Sequence, residues 1–459
     1  MTVLPPRWSP PGWLPPVGRI SPIPLGATLL TTAALLVVPT LLLLRLPRPQ
    51  AIGLEKLMAN VSLLQSFAAH PDRPAPEVWR TRFGPAAGDR LWRTQTRTWW
   101  QFWDGHADGQ PYLALSFRGL PESLLRSAAV PPLRVGDLAI FPPDPRSRDL
   151  LRARLQPQVR RSSGLRLRCL SRMERDQAVF WRPAGLGVLL GPLAPFLQDL
   201  QEGCLSLTIT GDGLQWSGEA ASVEGMVLQA PGSGGAESRP LVVNPPASDV
   251  LLEVRGGSLE QLLSGLLARE LIRQPLAERY GLGPEQISLL RQTPFRLALR
   301  PRSDGVFQAS IDLTVAVGSK TNSWEEGLAG LAKSLDKEGL RPTAGEGKGM
   351  ARWQRKDGVV VGGWMWHKGN TRITLFLGPA PSQLAQSPAL SGELFPAGQR
   401  AGMVLFARPR ELEARGLLPP DLPEVVRRSN ALWVAAEPSS GFANAAFVSQ
   451  LQGALLLRP

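Results

Sequence analysis

Asp104, His106 and Asp108, in the stretch WDGHADG, are the residues whose types and spacing come nearest to a reactive site. They begin like a calcium loop, D-x-[DN]-x-[DN]-G, with His106 where an oxygen ligand belongs and Gly109 at the sharp turn. The last ligand position of such a loop, normally a bidentate glutamate, is Leu115 and falls in an apolar run. Two readings follow: a metal-dependent or hydrolytic site on these three side chains, or a plain hairpin loop. The second is supported by a counterpart, WHKGN, that lacks the acids.

Other catalytic signatures are absent from the chain. No G-x-S-x-G elbow occurs. Gly347-Lys348 is followed by Gly349, and Pro342 stands where a phosphate-binding loop needs its first glycine. The glycines of GLGVLLG have the wrong final spacing for a dinucleotide fingerprint. His70 and His367 have no sequence-local partner, and 3 histidines with 2 cysteines leave little room for a multi-ligand transition-metal centre. No cofactor and no catalytic residue is expected.

Charge is a stronger signal. The net formal charge is +13, and between Arg146 and Arg182 eleven arginines face Asp149, Glu174 and Asp176, a local balance of +8. Guanidinium forks suit carboxylates and phosphates, so Arg152, Arg154, Arg160, Arg161, Arg166 and Arg168 are candidates for an anionic-partner surface. A protein partner is expected, anionic lipid is a second candidate, and nucleic acid is disfavoured. The competing reading is a solvated surface in an arginine-rich chain.

These residues need elements to position them. Between Arg19 and Arg45 lie 25 uncharged residues, and a helix over 20–46 would cross a hydrocarbon core of about 30 Å. The expectation is a short proline-rich tail over 1–19 and a single-pass transmembrane helix over 20–46, with a cleavable signal peptide as the alternative. Basic residues on the two flanks nearly balance, and a short leading tail places the bulk outside the cytoplasm. There Cys169 and Cys204 could form a disulfide; two buried thiols are the alternative.

Beyond the span, DLAIF at 137, DVLLEV at 249 and GMVLFA at 402 each precede a helix-like stretch and a hairpin with turn glycines at Gly213, Gly305 and Gly441. A second similarity runs from Trp100 and from Trp364, about 265 residues apart. Helices are expected where Leu54 to Leu64 recur on one face, where Ser258 opens a stripe closed by Pro275, and where Ser323 and Glu326 make a capping box stopped by Gly339. The glycine- and proline-rich 231–248 stretch reads as a linker between a membrane-proximal α+β domain over 54–230 and a related C-terminal α+β domain over 249–459. The fold class expected is α+β, one N-terminal transmembrane helix followed by repeated strand-helix-hairpin units in mostly antiparallel sheets.

The anchor, the repeats, and the Trp324 helix leading to MARWQRKDGVVVGGWMW together resemble a bacterial family of single-span membrane-anchored proteins catalogued as a domain of unknown function. The resemblance covers residues 130–459 and implies architecture without supplying any catalytic residue. The functional expectation is a non-catalytic extracytoplasmic binding, scaffolding or assembly-accessory module. The alternatives are a membrane-bound hydrolase or metal-dependent enzyme at Asp104, His106 and Asp108, and an anionic-lipid or nucleic-acid binder acting through the arginine segment.

Overall fold

The computed structural model describes residues 49–104, 110–118, 120, 128–185, 200–221, 246–259, 270–280, 282–291, 293–303, 308–344, 349–367, 369, 371–380, 403–420, 422–438 and 448–457. By internal contacts the chain divides into Met1–Gln50 and Ala51–Pro459, and everything below concerns the second unit.

That unit is built on one 18-stranded sheet. The expected single-pass membrane α+β architecture is corrected by this finding. The strands join into one antiparallel sheet with few helices, and no described helix is long and apolar enough to cross a membrane. The longest described helix, Thr321–Lys337, has 17 residues and carries Glu325, Glu326, Lys333, Asp336 and Lys337. A charged helix of that length serves as a cover for a sheet and has no lipid-facing stripe. Residues 20–46 lie outside the described residues.

The strands, in chain order, are β1 Leu63–Phe67, β2 Trp99–Trp103, β3 Tyr112–Ser116, β4 Leu133–Val135, β5 Leu138–Phe141, β6 Ala178–Trp181, β7 Glu202–Thr210, β8 Gly213–Ala221 and β9 Leu252–Gly256. They continue with β10 Phe295–Pro301, β11 Ala309–Ala316, β12 Arg341–Ala344, β13 Met350–Gln354, β14 Val360–Trp366, β15 Arg372–Leu377, β16 Met403–Ala407, β17 Ala431–Pro438 and β18 Val448–Leu456. Pairing places them side by side as β4-β5-β3-β2-β1-β6-β7-β8, then β18-β17-β16-β9-β10-β11-β15-β14-β13-β12, every pair antiparallel.

This order contains an internal duplication. The sequence β3-β2-β1-β6-β7-β8 is repeated in reverse across the β8–β18 seam as β18-β17-β16-β9-β10-β11. Each unit is a strand, a connection and a hairpin whose near strand pairs with the first. DLAIF is β5, which pairs with β3 and β4; the hairpin β7–β8 belongs with β6 instead. Trp100 and Trp364 both lie in hairpins, but the register counterpart of β2–β3 is β10–β11, with β14–β15 added beyond it. Residues 231–245 lie outside the described residues, and strands from either side of them share the sheet.

Strand alternation gives the sheet two faces. On one face lie Trp99, Leu113 and Leu115 in the first half, covered by α2 Glu77–Phe83 and α3 Pro85–Trp92. In the second half the same face carries Val254, Phe295, Val315 and Ile373, covered by Trp324 and Leu328 of α8 Thr321–Lys337. The opposite face of the first half holds Leu64, Phe102, Tyr112, Ala114 and Phe180. It is covered by α1 Gly53–Asn60, α4 Pro145–Leu155 and α5 Gly164–Arg175. Between them in chain order come α6 Glu270–Tyr280 and α7 Pro284–Arg291, ahead of α8, and α6 runs through Pro275 rather than ending there. Helix α1 stops at Asn60, so Leu64 belongs to β1, and Ser323 lies inside α8 with no side-chain cap at its N-terminus.

Both sheet edges are blunted. Pro131 and Pro132 precede the three-residue β4, and Pro342 sits inside the four-residue β12. Short edges with proline resist pairing with another chain. At the central seam, Gly453 of β18 faces Trp216 of β8, and a Cβ there would overlap the indole. Replacing Gly453 by Val is therefore expected to destabilise the protein by about 1–3 kcal/mol through overpacking. Chemical denaturation checks this, and an unchanged midpoint would contradict the seam packing.

Candidate anion-binding site

Helix α5 positions the arginine segment. Its Leu165, Cys169 and Met173 fall on one stripe and are buried in the core, which turns the arginines toward the sides and the surface. Cys169 and Cys204 form a disulfide with Cα atoms 5.6 Å apart, tying the middle of α5 to β7.

Around that tie the arginines meet carboxylates. Arg166 donates from Nε and Nη2 to the two oxygens of Glu202, at 2.5 and 2.8 Å. Glu202 is fully buried, and Arg182 lies 3.9 Å from its second oxygen. Arg168 donates to Glu219 at 2.6 Å, and Arg172 approaches the same carboxylate at 3.9 Å. Arg172 also donates to Ser206 Oγ at 3.0 Å, whose hydroxyl donates to Asp176 at 2.6 Å. The bond to Glu202 raises the Arg166 guanidinium above its usual range, while burial first and Arg166 second lower that of Arg182. Buried acids thus hold partly exposed arginines, an arrangement with a geometric role in seating α5.

Beside this lattice lies an open cleft of about 440 Å³ lined by Arg168, Ser171, Arg172, Arg175 and Asp176. Arg175 donates to the carbonyl of Ser171 and to its Oγ. With Glu219 behind, three guanidinium groups against two carboxylates leave one net positive charge. The remaining candidates are dispersed: Arg152 is 4.0 Å from Asp149, Arg154 donates to the Asp104 carbonyl, and Arg160 and Arg161 are exposed. The six arginines therefore do not form one patch. Glu202 and Glu219, which organise the site, were not singled out by sequence reasoning; the usable signal is an acid at an inward position of an otherwise covered strand.

His106 and Asp108 lie outside the described residues. Asp104 accepts from the Tyr112 hydroxyl at 3.4 Å, and that hydroxyl also donates to the Ser147 carbonyl at 3.1 Å. Burial first and Asp104 second push Tyr112 up to about 12 from 10.0. Between those values the folded state holds a proton that the unfolded chain has released. The stabilising contribution of the neutral phenol is complete below pH 10 and is lost as pH rises through about 12. Ultraviolet titration of the 2 tyrosines should show one late step that disappears in Tyr112→Phe. Two ordinary steps in the parent protein would contradict this environment.

Elsewhere, His367 Nε2 lies 2.7 Å from Thr374 Oγ1, and burial first and Arg372 second lower its pKa. His70 is exposed. Among the described residues no group of three or more His, Cys, Asp or Glu could hold a metal ion. Trp99 stacks on Phe67 at 4.4 Å and Phe102 on Tyr112 at 4.8 Å, inside the cores on opposite faces.

No protein-family model, no curated protein and no solved structure matches the chain. The resemblance to a family of unknown function rests on sequence pattern alone.

Proposed function

We propose that the protein is a non-catalytic binding or scaffolding module working in an oxidising compartment outside the cytoplasm. The observation that carries this reading is the Cys169–Cys204 disulfide, fully buried and joining α5 to β7 at the centre of the arginine lattice. Structural disulfides persist in extracytoplasmic compartments and are rare where thiols are kept reduced. The engagement of Arg166, Arg168 and Asp104 in bonds that seat a helix and a hairpin also supports a structural role for these side chains. A C-terminal reporter that folds only outside the cytoplasm tests the placement. Activity of that reporter in intact cells is expected, and activity of a cytoplasm-only reporter instead would refute it.

A second reading is favoured by the cleft: Arg168, Arg172 and Arg175 project from successive turns of one helix and suit an oxyanion. Titration with inorganic phosphate, and flotation with vesicles containing phosphatidylglycerol, test it. Arg175→Gln removes a cation whose described bonds are local to α5, so binding should fall about tenfold with unchanged stability. Absence of binding, or binding indifferent to Arg175→Gln, would remove this reading.

A further inference from the structure

Helix α5 stops above the middle of β7. Ser206 Oγ donates to Asp176, the residue that follows the helix, and the Leu207 N–H donates to the Gln177 carbonyl at 2.7 Å. Beyond that point the α5 side of the β7–β8 hairpin is open. Strand alternation puts Thr208 and Thr210 of β7, with Gln215 and Ser217 of β8, on the same side as Cys204 and Ser206, and all four are exposed. Their neighbours Leu207, Ile209, Leu214 and Trp216 belong to the opposite side. Register carries the Thr208–Gln215 row on through Ala454 of β18 to the partly exposed Trp433 of β17.

This strip adjoins the α5 cleft, because Arg172 of the cleft donates to Ser206, whose strand partner is Ser217. The two differ in chemistry. The cleft offers guanidinium groups, whereas Thr208, Thr210, Gln215 and Ser217 offer hydroxyls and an amide without charge, and the turn beyond them holds the exposed Asp212. A surface for a bilayer or a nucleic acid would continue as positive charge. Here the charge stops at Arg175, and groups that both donate and accept hydrogen bonds follow it. Sugar hydroxyls likewise donate and accept, and an indole offers a flat face to the apolar side of a sugar ring. From Ser206 to Thr210 the strip runs about 13 Å at roughly 3.3 Å per residue, and from β7 to β17 about 14 Å at roughly 4.8 Å per strand spacing. Those dimensions suit a chain of sugars better than a single one.

We propose that the α5 cleft and this strip form one binding site for an acidic oligosaccharide, a chain of uronic acids. Arg172 and Arg175 take a sugar carboxylate, Thr208, Gln215 and Ser217 hydrogen-bond the hydroxyls of the sugars that follow, and Trp433 lies under a ring at the far end of the row. The proposal rests on the reading of the cleft as an oxyanion site and names the ligand class that the neighbouring strands select.

The test titrates the full chain by calorimetry with tetragalacturonate, its methyl ester, monomeric galacturonate and inorganic phosphate. Tetragalacturonate is expected to bind at least about tenfold more tightly than each of the other three. Thr208→Ala with Gln215→Ala changes two exposed side chains, so the thermal midpoint should hold while affinity for tetragalacturonate falls about tenfold and that for phosphate stays within about twofold. Arg175→Gln should weaken both ligands. Tetragalacturonate binding no tighter than the monomer, or indifferent to the double variant, would overturn the proposal; phosphate binding that persists in that case leaves the cleft as a simple anion site. Flotation with phosphatidylglycerol vesicles in the absence of tetragalacturonate binding would overturn it in favour of a lipid headgroup. Loss of phosphate and tetragalacturonate binding together would remove the oxyanion reading as well, so the two failures are distinguishable.

Discussion

Replacing Cys169 and Cys204 together by serine is expected to lower the unfolding free energy by about 4 kcal/mol. The bridge closes a loop across a sequence separation of 35, and chain entropy in the unfolded state gives about that value. Packing raises the cost further, because both sulfurs are fully buried in the core that α5 shares with β6, β7 and β1. Two polar hydroxyls would take their place inside that core. Urea unfolding of the oxidised parent and the double variant provides the comparison. A difference below about 1 kcal/mol would show that α5 is held by its arginines and leucines without the covalent tie.

Arg166→Met should cost about 3–5 kcal/mol, out of proportion to a half-exposed side chain. The change strands Glu202, which is fully buried, with Arg182 at 3.9 Å as its nearest charge. Removing one partner of a buried pair leaves the desolvation of the other uncompensated. The companion change Glu202→Leu in the same chain should recover a large part of the loss, since an apolar pair replaces the stranded carboxylate. Failure of the second change to restore stability would mean that Arg166 acts by packing its stem, not by satisfying Glu202.

Some of the architecture is visible in local sequence. The β7–β8 turn at Gly211–Asp212–Gly213 and the alternation along β10 and β11 mark hairpins because strand period and turn chemistry are local properties. Gly339, at φ 82, ends α8 for the same kind of reason. The five residues of β1 continue the apolar run of α1, so the helix period ran on past Asn60. The four residues of β6 are too short to show alternation.

Long-range pairing was out of reach. β8 and β18 meet across more than two hundred residues, and what joins them is complementarity of whole faces, including Gly453 beneath Trp216. The sequence therefore suggested repeated strand-helix-hairpin units in mostly antiparallel sheets, where the described strands form one sheet. The candidate arginines were visible as a cluster, but their partners Glu202 and Glu219 come from β7 and β8, and only the parity of each acid along its strand marks it as inward. The ion pairs that Glu253, Arg296 and Asp312 make in the second half were invisible for the same reason: these residues come from three strands, and only register brings them together.

The central claim, a binding module of an oxidising compartment, is tested most directly by counting free thiols. Protein taken from its own cells under acid quench, denatured without reductant and exposed to an alkylating reagent, should show no modified cysteine, with both modified after reduction. Modification of Cys169 and Cys204 before reduction would contradict the account, because the bond that seats the arginine helix would then be absent from the working protein.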